Sequence, residues 1–189
     1  AVGLLCYTFW FALQLLVPAT ERRYSAPVKK GLVILLVLLT IQLIYGALMA
    51  GHKAATVAPT WPTINGSWLP DGMASHNPWL INFIDNTITV HFIHRNLAYL
   101  ITILVIIWYR KASLENLSAK ARTWLRWPLI LVVVQVMLGI LSVLSSKSII
   151  PNHWGNFEWM AQLHQLVAMF LVLSLTGMLY LFSDRRQRA

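Results

Sequence analysis

Two histidines occupy matching places inside apolar segments of this chain of 189 residues. His94 lies just over one helical turn inside the apolar run 90–109, and His164 lies equally far inside the run 159–182. A buried neutral imidazole needs a hydrogen-bond partner or a metal, because an unpaired polar group in an apolar medium is unfavourable. Two imidazoles at one depth on neighbouring helices would therefore be suited to hold a metal ion between them.

The segments that carry these histidines are predicted to be an internal repeat. Runs 31–50 and 127–146 each have a Gln followed at i+4 by a Gly, namely Gln42 with Gly46 and Gln135 with Gly139. Runs 90–109 and 159–182 each have a His followed at i+4 by an Ala, namely His94 with Ala98 and His164 with Ala168. We interpret the four runs as two copies of one helical hairpin, which usually pack about a pseudo-two-fold axis along the membrane normal.

The composition predicts a membrane protein. Hydrophobic residues make up 58% of the chain and charged residues 11%, whereas a soluble domain carries about 25% charged residues. A helix needs about 20 residues to cross a hydrocarbon core. The sequence thus predicts an all-α integral membrane protein with five transmembrane helices, four of which form a bundle of two repeated hairpins. The five apolar runs are 1–17, 31–50, 90–109, 127–146 and 159–182.

Two parts of the chain are predicted. Run 1–17 starts abruptly, and we expect it to be the remnant of a helix from an N-terminal half that lies upstream. Residues 18–189 are expected to form a four-helix membrane domain with a long outer loop over 51–89. Tryptophans and prolines in that loop are typical of the membrane–water boundary. The loop would either cap the histidine site and limit access of water to it, or lie at the membrane interface without a chemical role.

The net charge of +9 is distributed as a topology signal. Twelve of the 15 lysines and arginines flank or lie between runs on one side of the predicted membrane, and the loops on the other side hold only Lys53 and Lys147. This is the positive-inside pattern. It predicts that loops 51–89 and 147–158 face outward, and it argues against nucleic acid as a partner.

The number of available ligands indicates which metal group the two histidines would hold. Zinc needs two further protein ligands, and neither helix offers them at a suitable spacing. Iron in a porphyrin needs only two axial nitrogens from the protein. Ala98 and Ala168, one turn deeper, would leave room for a flat ring. The alternative is that both histidines are packed, hydrogen-bonded structural residues.

The neighbours of His94 are open to two interpretations each. His91, one turn outward, would be either a hydrogen-bonding group beside the site or an interfacial residue. Arg95 is unfavourable in hydrocarbon, so it would either extend outward to water or pair with a haem propionate. We favour the propionate.

The chain resembles the C-terminal half of the haem A synthase family. The resemblance rests on the segments YGALMAGHKAATVAPTWPTINGSWLPDGM, NFIDNTITVHFIHRNLAY and AQLHQLVA, which together extend over nearly the whole chain. It implies a protein of eight helices in two similar halves, with a haem b held by the two histidines of the C-terminal half, here His94 and His164. Such enzymes are oxidoreductases that convert a methyl group of haem O into the formyl group of haem A for terminal oxidases.

Two positions depart from the family pattern. Members commonly have Gln where this chain has His91, and Glu where it has Asp85. His91 could therefore exchange with His94 as ligand, but we keep His94 because it aligns with His164 in the repeat. No catalytic residue is assignable, because the family's important carboxylate lies in the other half.

The resemblance also implies partners and a location. Haem O would be the substrate and the lipid bilayer the surroundings, with haem O synthase or an electron donor as a protein partner, and an oligomer is compatible with the sequence. We expect the bacterial inner membrane, in preference to the mitochondrial inner membrane. The chain alone is expected to be inactive. The alternative function is a b-type membrane cytochrome that carries electrons to or from quinone without modifying haem.

Overall fold

The computed structural model is helical throughout its regular parts and describes residues 1–150 and 152–183. Within these residues there is no β-strand, although isolated bridges join Tyr24 to Ser183 and Ile64 to Ser67. The basic residues Arg185, Arg186 and Arg188 of the predicted charge pattern lie outside the described residues. The helices are α1 Val2–Leu16, α2 Ala26–Gly51, α3 Ala54–Val57, α4 Asn82–Asp85, α5 Thr87–Ser113, α6 Ala119–Ser145 and α7 Asn156–Leu181.

Four of these helices, α2, α5, α6 and α7, are long and apolar enough to cross a membrane. The prediction of an all-helical, multi-pass membrane protein is confirmed at this level. Helix α1 has 15 residues, fewer than the roughly 20 that a crossing requires. A fifth membrane-spanning helix therefore stays a prediction.

The long helices begin earlier than the apolar runs. Helix α2 starts at Ala26 and α6 at Ala119, whereas the runs start at 31 and 127. A helix satisfies its own backbone hydrogen bonds, so it can continue beyond the hydrocarbon into a basic, polar segment. The hydroxyl of Ser118 caps α6 by accepting a hydrogen bond from the Ala121 amide at 3.1 Å.

The chain divides into two compact units. The first unit comprises Ala1–Leu39, Ile101–Val134 and the described residues from Val167. The four long helices have buried residues at alternating intervals of four and three in this unit, the spacing of helices that pack side by side, and α7 buries further residues between them. On α2 and α6 these residues are Val28, Leu32, Leu35 and Leu39, and Ala121, Leu125, Pro128 and Val132. On α5, and at α7 and its C-terminal end, they are Ile101, Val105, Trp108 and Ala112, and Leu171, Leu175, Met178 and Phe182.

The second unit comprises Thr40–Leu100 and Gln135–Leu166. Its buried residues lie in the loop after α2, at the start of α5 and at Ser146. The structure describes the helical segments 40–51, 92–100, 135–145 and 156–166 in full, and none of them contains a buried residue. The helices of this unit therefore leave their side chains only partly covered, and both predicted ligand histidines belong here.

Candidate haem site

The two predicted ligand histidines face each other in the second unit. His94 of α5 and His164 of α7 have ring centres 6.4 Å apart, with ring planes inclined at 67°. A metal–imidazole bond of about 2.0 Å, with roughly 1.1 Å more from nitrogen to ring centre, places two rings on opposite sides of one metal about 6.2 Å apart. The spacing of these rings therefore suits one metal atom between them.

The hydrogen bonds of His164 fix its tautomer. Its Nδ1 atom lies 3.0 Å from the main-chain oxygen of Gln135, and because a carbonyl oxygen only accepts, Nδ1 carries the proton. Nε2 therefore has a lone pair, which accepts from the side-chain amide of Gln135 at 3.2 Å. A proton on Nδ1 held by a backbone carbonyl is the usual state of an imidazole that binds a metal through Nε2.

His94 has a related but looser arrangement with Gln42. The side-chain amide of Gln42 lies 3.3 Å from His94 Nε2 and donates to the main-chain oxygen of His94 at 3.0 Å. The main-chain carbonyl of Gln42 is near His94, but the buried Nδ1 atom makes no hydrogen bond of normal geometry to a described residue. In both pairs the glutamine amide contacts the nitrogen that a metal would use.

Two glycines let the partner helices approach the rings. A Cβ atom at Gly139 would lie 3.0 Å from Cε1 of His164, and one at Gly46 would lie 3.4 Å from Cε1 of His94. Any side chain at Gly139 would displace the imidazole. The Gln and Gly positions on which the predicted repeat was based are therefore the positions that contact the two histidines.

The structure places the two alanines differently. Ala168 is buried in the first unit, and Ala98 is partly buried in the second unit. Their predicted role, leaving room for a flat ring, stays a prediction.

His91 lies beneath the outer loop with 1% of its surface exposed. Its Nε2 atom is 2.9 Å from the guanidinium of Arg95. Arginine only donates, so Nε2 accepts and its lone pair is engaged. Of the two alternatives for this residue, the structure places it as a buried hydrogen-bonding group, and metal binding through Nε2 would require breaking its bond to Arg95.

Arg95 holds one segment of the outer loop. Its guanidinium donates to the main-chain oxygens of Thr60, Pro62 and Thr63 at 2.8, 3.1 and 2.9 Å. Nearby, the indole of Trp61 donates to the hydroxyl of Tyr99 on the same helix at 3.0 Å. The cation thus binds neutral carbonyl groups, and its predicted pairing with a propionate stays a prediction.

A second polar cluster anchors the rest of the loop to the start of α5. The side-chain oxygen of Asn86 accepts from the amides of Ile88 and Thr89, which caps the helix. Its side-chain nitrogen donates to Gly72 and to Asn82 at 2.7 and 3.1 Å. Sequence reasoning noted Asn86 only as part of a family motif. An Asn just before a long apolar run is a capping signal that could have identified it.

The donor set suits an iron porphyrin better than a bare metal ion. Within residues 1–150 and 152–183 no group of three or more His, Cys, Asp or Glu side chains could hold a metal. Two imidazoles that coordinate through Nε2 are the complete protein contribution that a six-coordinate haem iron requires, because the macrocycle supplies the other four nitrogens. The glutamine amides would then give up their contacts with these Nε2 atoms. His94 and His164 fit such a group.

Comparison with known proteins gives a consistent result. Residues 1–176 match the family described as cytochrome oxidase assembly protein, COX15-CtaA. Haem A synthase of Flavobacterium psychrophilum is 29% identical over 184 residues, which are 94% of this chain and 50% of that protein. Haem A synthase of Nitrosospira multiformis is 35% identical over 140 residues, or 72% of this chain and 39% of that protein.

A third relative, haem A synthase of Bartonella quintana, is 37% identical over 112 residues, which are 58% of this chain and 31% of that protein. The chain therefore spans half or less of the length of these curated relatives. No solved structure matches it significantly.

Proposed function

The chain belongs to the haem A synthase family of cytochrome oxidase assembly proteins, and on that premise we propose that it is the haem b-binding part of such an enzyme. The whole enzyme would be an oxidoreductase that converts the haem O methyl group into the formyl group of haem A. His94 and His164 would be the axial ligands of the haem b iron.

One observation carries this proposal, namely the paired imidazoles in the second unit. Their ring centres are 6.4 Å apart, and a glutamine amide approaches Nε2 of each ring. Tautomers that leave Nε2 with a lone pair are those that bind haem iron. Both rings thus face one region of the second unit, as two ligands of a single metal would.

The ligand set indicates electron transfer as the role of this site. A haem b held by two imidazoles supplies reversible one-electron chemistry. His94 and His164 would both be ligands of this haem, and its iron would then have no place for oxygen or substrate. The two side chains therefore hold and orient the iron, and we infer that oxidation of haem O takes place elsewhere in the enzyme.

The burial pattern supports the finer architecture of two repeated hairpins. The buried positions of α2 recur in α6, so that Leu32 and Leu35 correspond to Leu125 and Pro128. In the same register Gln42 corresponds to Gln135. We retain a four-helix domain over 18–189, with residues 1–17 as part of a fifth membrane helix that belongs to another half of the enzyme.

The outer loop would cover the haem. Arg95 and Asn86 hold it in place through main-chain carbonyl groups, so the loop is a fixed cover on the second unit. Such a cover limits access of water, which contributes to the redox potential of a haem. On haem binding, Arg95 would exchange a carbonyl for a propionate as its partner.

We further propose a place in the bacterial inner membrane, with loop 51–89 on the outer side. The substrate would be haem O, and haem O synthase or an electron donor the protein partner. In a variant that lacks Cys6, a cysteine at Asp71 should react with an impermeant maleimide from outside, and one at Ala119 only after the membrane is opened. Reaction of the Asp71 position only from the inside would contradict this orientation.

Absorption spectroscopy and haem analysis test the function. The purified chain should show a b-type spectrum when reduced. A full-length protein containing it should convert haem O into haem A, whereas a b-type cytochrome that exchanges electrons with quinone should not. The chain alone, loaded with haem b and given haem O, reductant and oxygen, should leave the haem O unchanged in chromatography of extracted haems. Formation of hydroxylated or formyl haem by the chain alone would contradict the assignment.

A further inference from the structure

The two histidines are held by equivalent glutamines in unequal ways. The main-chain oxygen of Gln135 accepts a hydrogen bond from His164 Nδ1 at 3.0 Å. The Nδ1 atom of His94 makes no such bond of normal geometry. The ring of His94 is instead contacted by the side chain of Gln42, whose amide also donates to the main-chain oxygen of His94 at 3.0 Å.

The side-chain carbonyl oxygens of both glutamines are buried without a hydrogen-bond partner among the described residues. A buried unpaired amide oxygen is destabilising. Buried polar groups without a partner are rare in folded proteins, and a catalytic or redox role is one explanation for them. Both glutamine side chains direct their amide nitrogens to a histidine.

We propose that Gln42 and Gln135 are positioning residues that set the inclined planes of the two ligand histidines, His94 through the side chain of Gln42 and His164 through the main chain of Gln135. The inference rests on the proposed haem site. Once Nε2 of each ring coordinates iron, the amide of Gln135 is dispensable because its main-chain carbonyl still holds the ring. The amide of Gln42 stays bonded to the main-chain oxygen of His94, which keeps the glutamine side chain beside the imidazole, where its bulk restricts turning of that ring.

The angle of 67° between the rings has a spectroscopic consequence. Strongly inclined imidazole planes leave two iron d orbitals nearly equal in energy, and the oxidised low-spin haem then gives a highly anisotropic EPR spectrum. Nearly parallel planes separate these orbitals and give a less anisotropic, rhombic spectrum. The EPR spectrum of the oxidised protein therefore reports the ring orientation independently of catalytic activity.

The experiment compares the same substitution at the two equivalent positions. Gln42→Leu should shift the EPR spectrum of the haem-loaded protein towards the rhombic type or broaden it, because the ring of His94 becomes free to turn. Gln135→Leu should leave the spectrum close to that of the wild type. Gln162→Leu, on the exposed side of the same helix as His164, is the control for substitution in a membrane helix, and haem content is measured for every variant.

The possible outcomes are distinct. A larger effect of Gln42→Leu than of Gln135→Leu, whether a spectral shift or a loss of haem, supports the proposal. Equal effects, or a larger effect at Gln135, overturn it, and so does a rhombic spectrum from the wild type. If the wild-type chain binds no haem, or keeps its low-spin haem after His94→Ala, the proposed function itself fails and not only the roles of the glutamines.

Discussion

The first and second units use the same four long helices but pack them differently. In the first unit each contact position along α2 and α6 is a buried residue, such as Leu32 or Leu125. In the second unit the same spacing of three and four continues, but the positions are occupied by Gln42 and Gly46 on α2 and by their counterparts on α6. None of these positions is buried.

The difference separates stability from function within one helix. Large apolar side chains that interdigitate account for the closed packing of the first unit. Small and polar side chains in the second unit leave space beside the histidines and supply hydrogen bonds to them. Within one helix, a closely packed segment is therefore followed by a segment of small and polar residues without any change in periodicity.

The largest expected effect is loss of the haem, caused by substitutions of the two histidines in the second unit. His94→Ala and His164→Ala should each abolish the b-type absorbance, since each removes one axial nitrogen, while circular dichroism shows unchanged helix content. His91→Ala should keep most of the haem, because His91 is bonded to Arg95 and supplies no ligand. Haem retained by His94→Ala but lost from His91→Ala would show that the ligand assignment is wrong.

A substitution in the first unit should instead lower the stability of the protein and leave its haem spectrum unchanged. Leu171→Ala, at a position that is 1% exposed, should destabilise the protein by about 2 kcal/mol through loss of packing. Unfolding in mixed detergent micelles measures this value, and the haem spectrum should not change. Leu166→Ala on the same helix, 42% exposed, is the matched control. Comparable destabilisation by both variants would contradict the contrast between the units.

A smaller effect is expected from filling the space beside the rings. Gly139→Ala should weaken haem binding about tenfold, within the range of overpacking energies, because its Cβ would lie 3.0 Å from His164. Gly46→Ala, with 3.4 Å to His94, should weaken it less. Haem titration gives both affinities. Gly3→Ala, which meets nothing within 4 Å, should leave the affinity unchanged, and a stronger effect at Gly46 would conflict with this geometry.

The smallest effect concerns the cover of the second unit. Arg95→Gln removes hydrogen bonds to three loop carbonyls, and hydrogen exchange of amides in 57–65 should accelerate about fivefold, equivalent to one net hydrogen bond. The absorption spectrum should stay of b type. Lys147→Gln, at an exposed position, serves as the control. An unchanged exchange rate in Arg95→Gln would mean that the loop is held by other contacts.

Several features of the fold could be predicted because they follow from local rules. Length and hydropathy located the four long helices, since only an apolar segment of sufficient length can cross hydrocarbon. The predicted helices start too late in the sequence, because hydropathy marks the membrane boundary. The first residue of a helix is instead marked by a capping residue, such as Ser118 before α6. The fifth membrane helix depended on a segment, 1–17, that is short in both sequence and structure.

The candidate site was predicted only in part. Residues His94 and His164 could be paired because the repeat gave them the same depth and side. The partners of Arg95 could not be predicted, since the loop carbonyls that bind it come from Thr60, Pro62 and Thr63 and any residue type offers the same carbonyl. The glutamines marked the repeat in the sequence, but their contact with the histidines was not predicted.

The sequence by itself determined that this is a helical membrane protein with two matching histidines, because hydropathy, spacing and charge are properties of residue order. The tertiary structure decided how those histidines are held. The inclination of the rings, the Nδ1 proton of His164 and the unequal roles of Gln42 and Gln135 depend on atoms brought together from separate helices. Hydrogen bonds act over about 3 Å, and distances of that size between remote residues are set only when the helices pack.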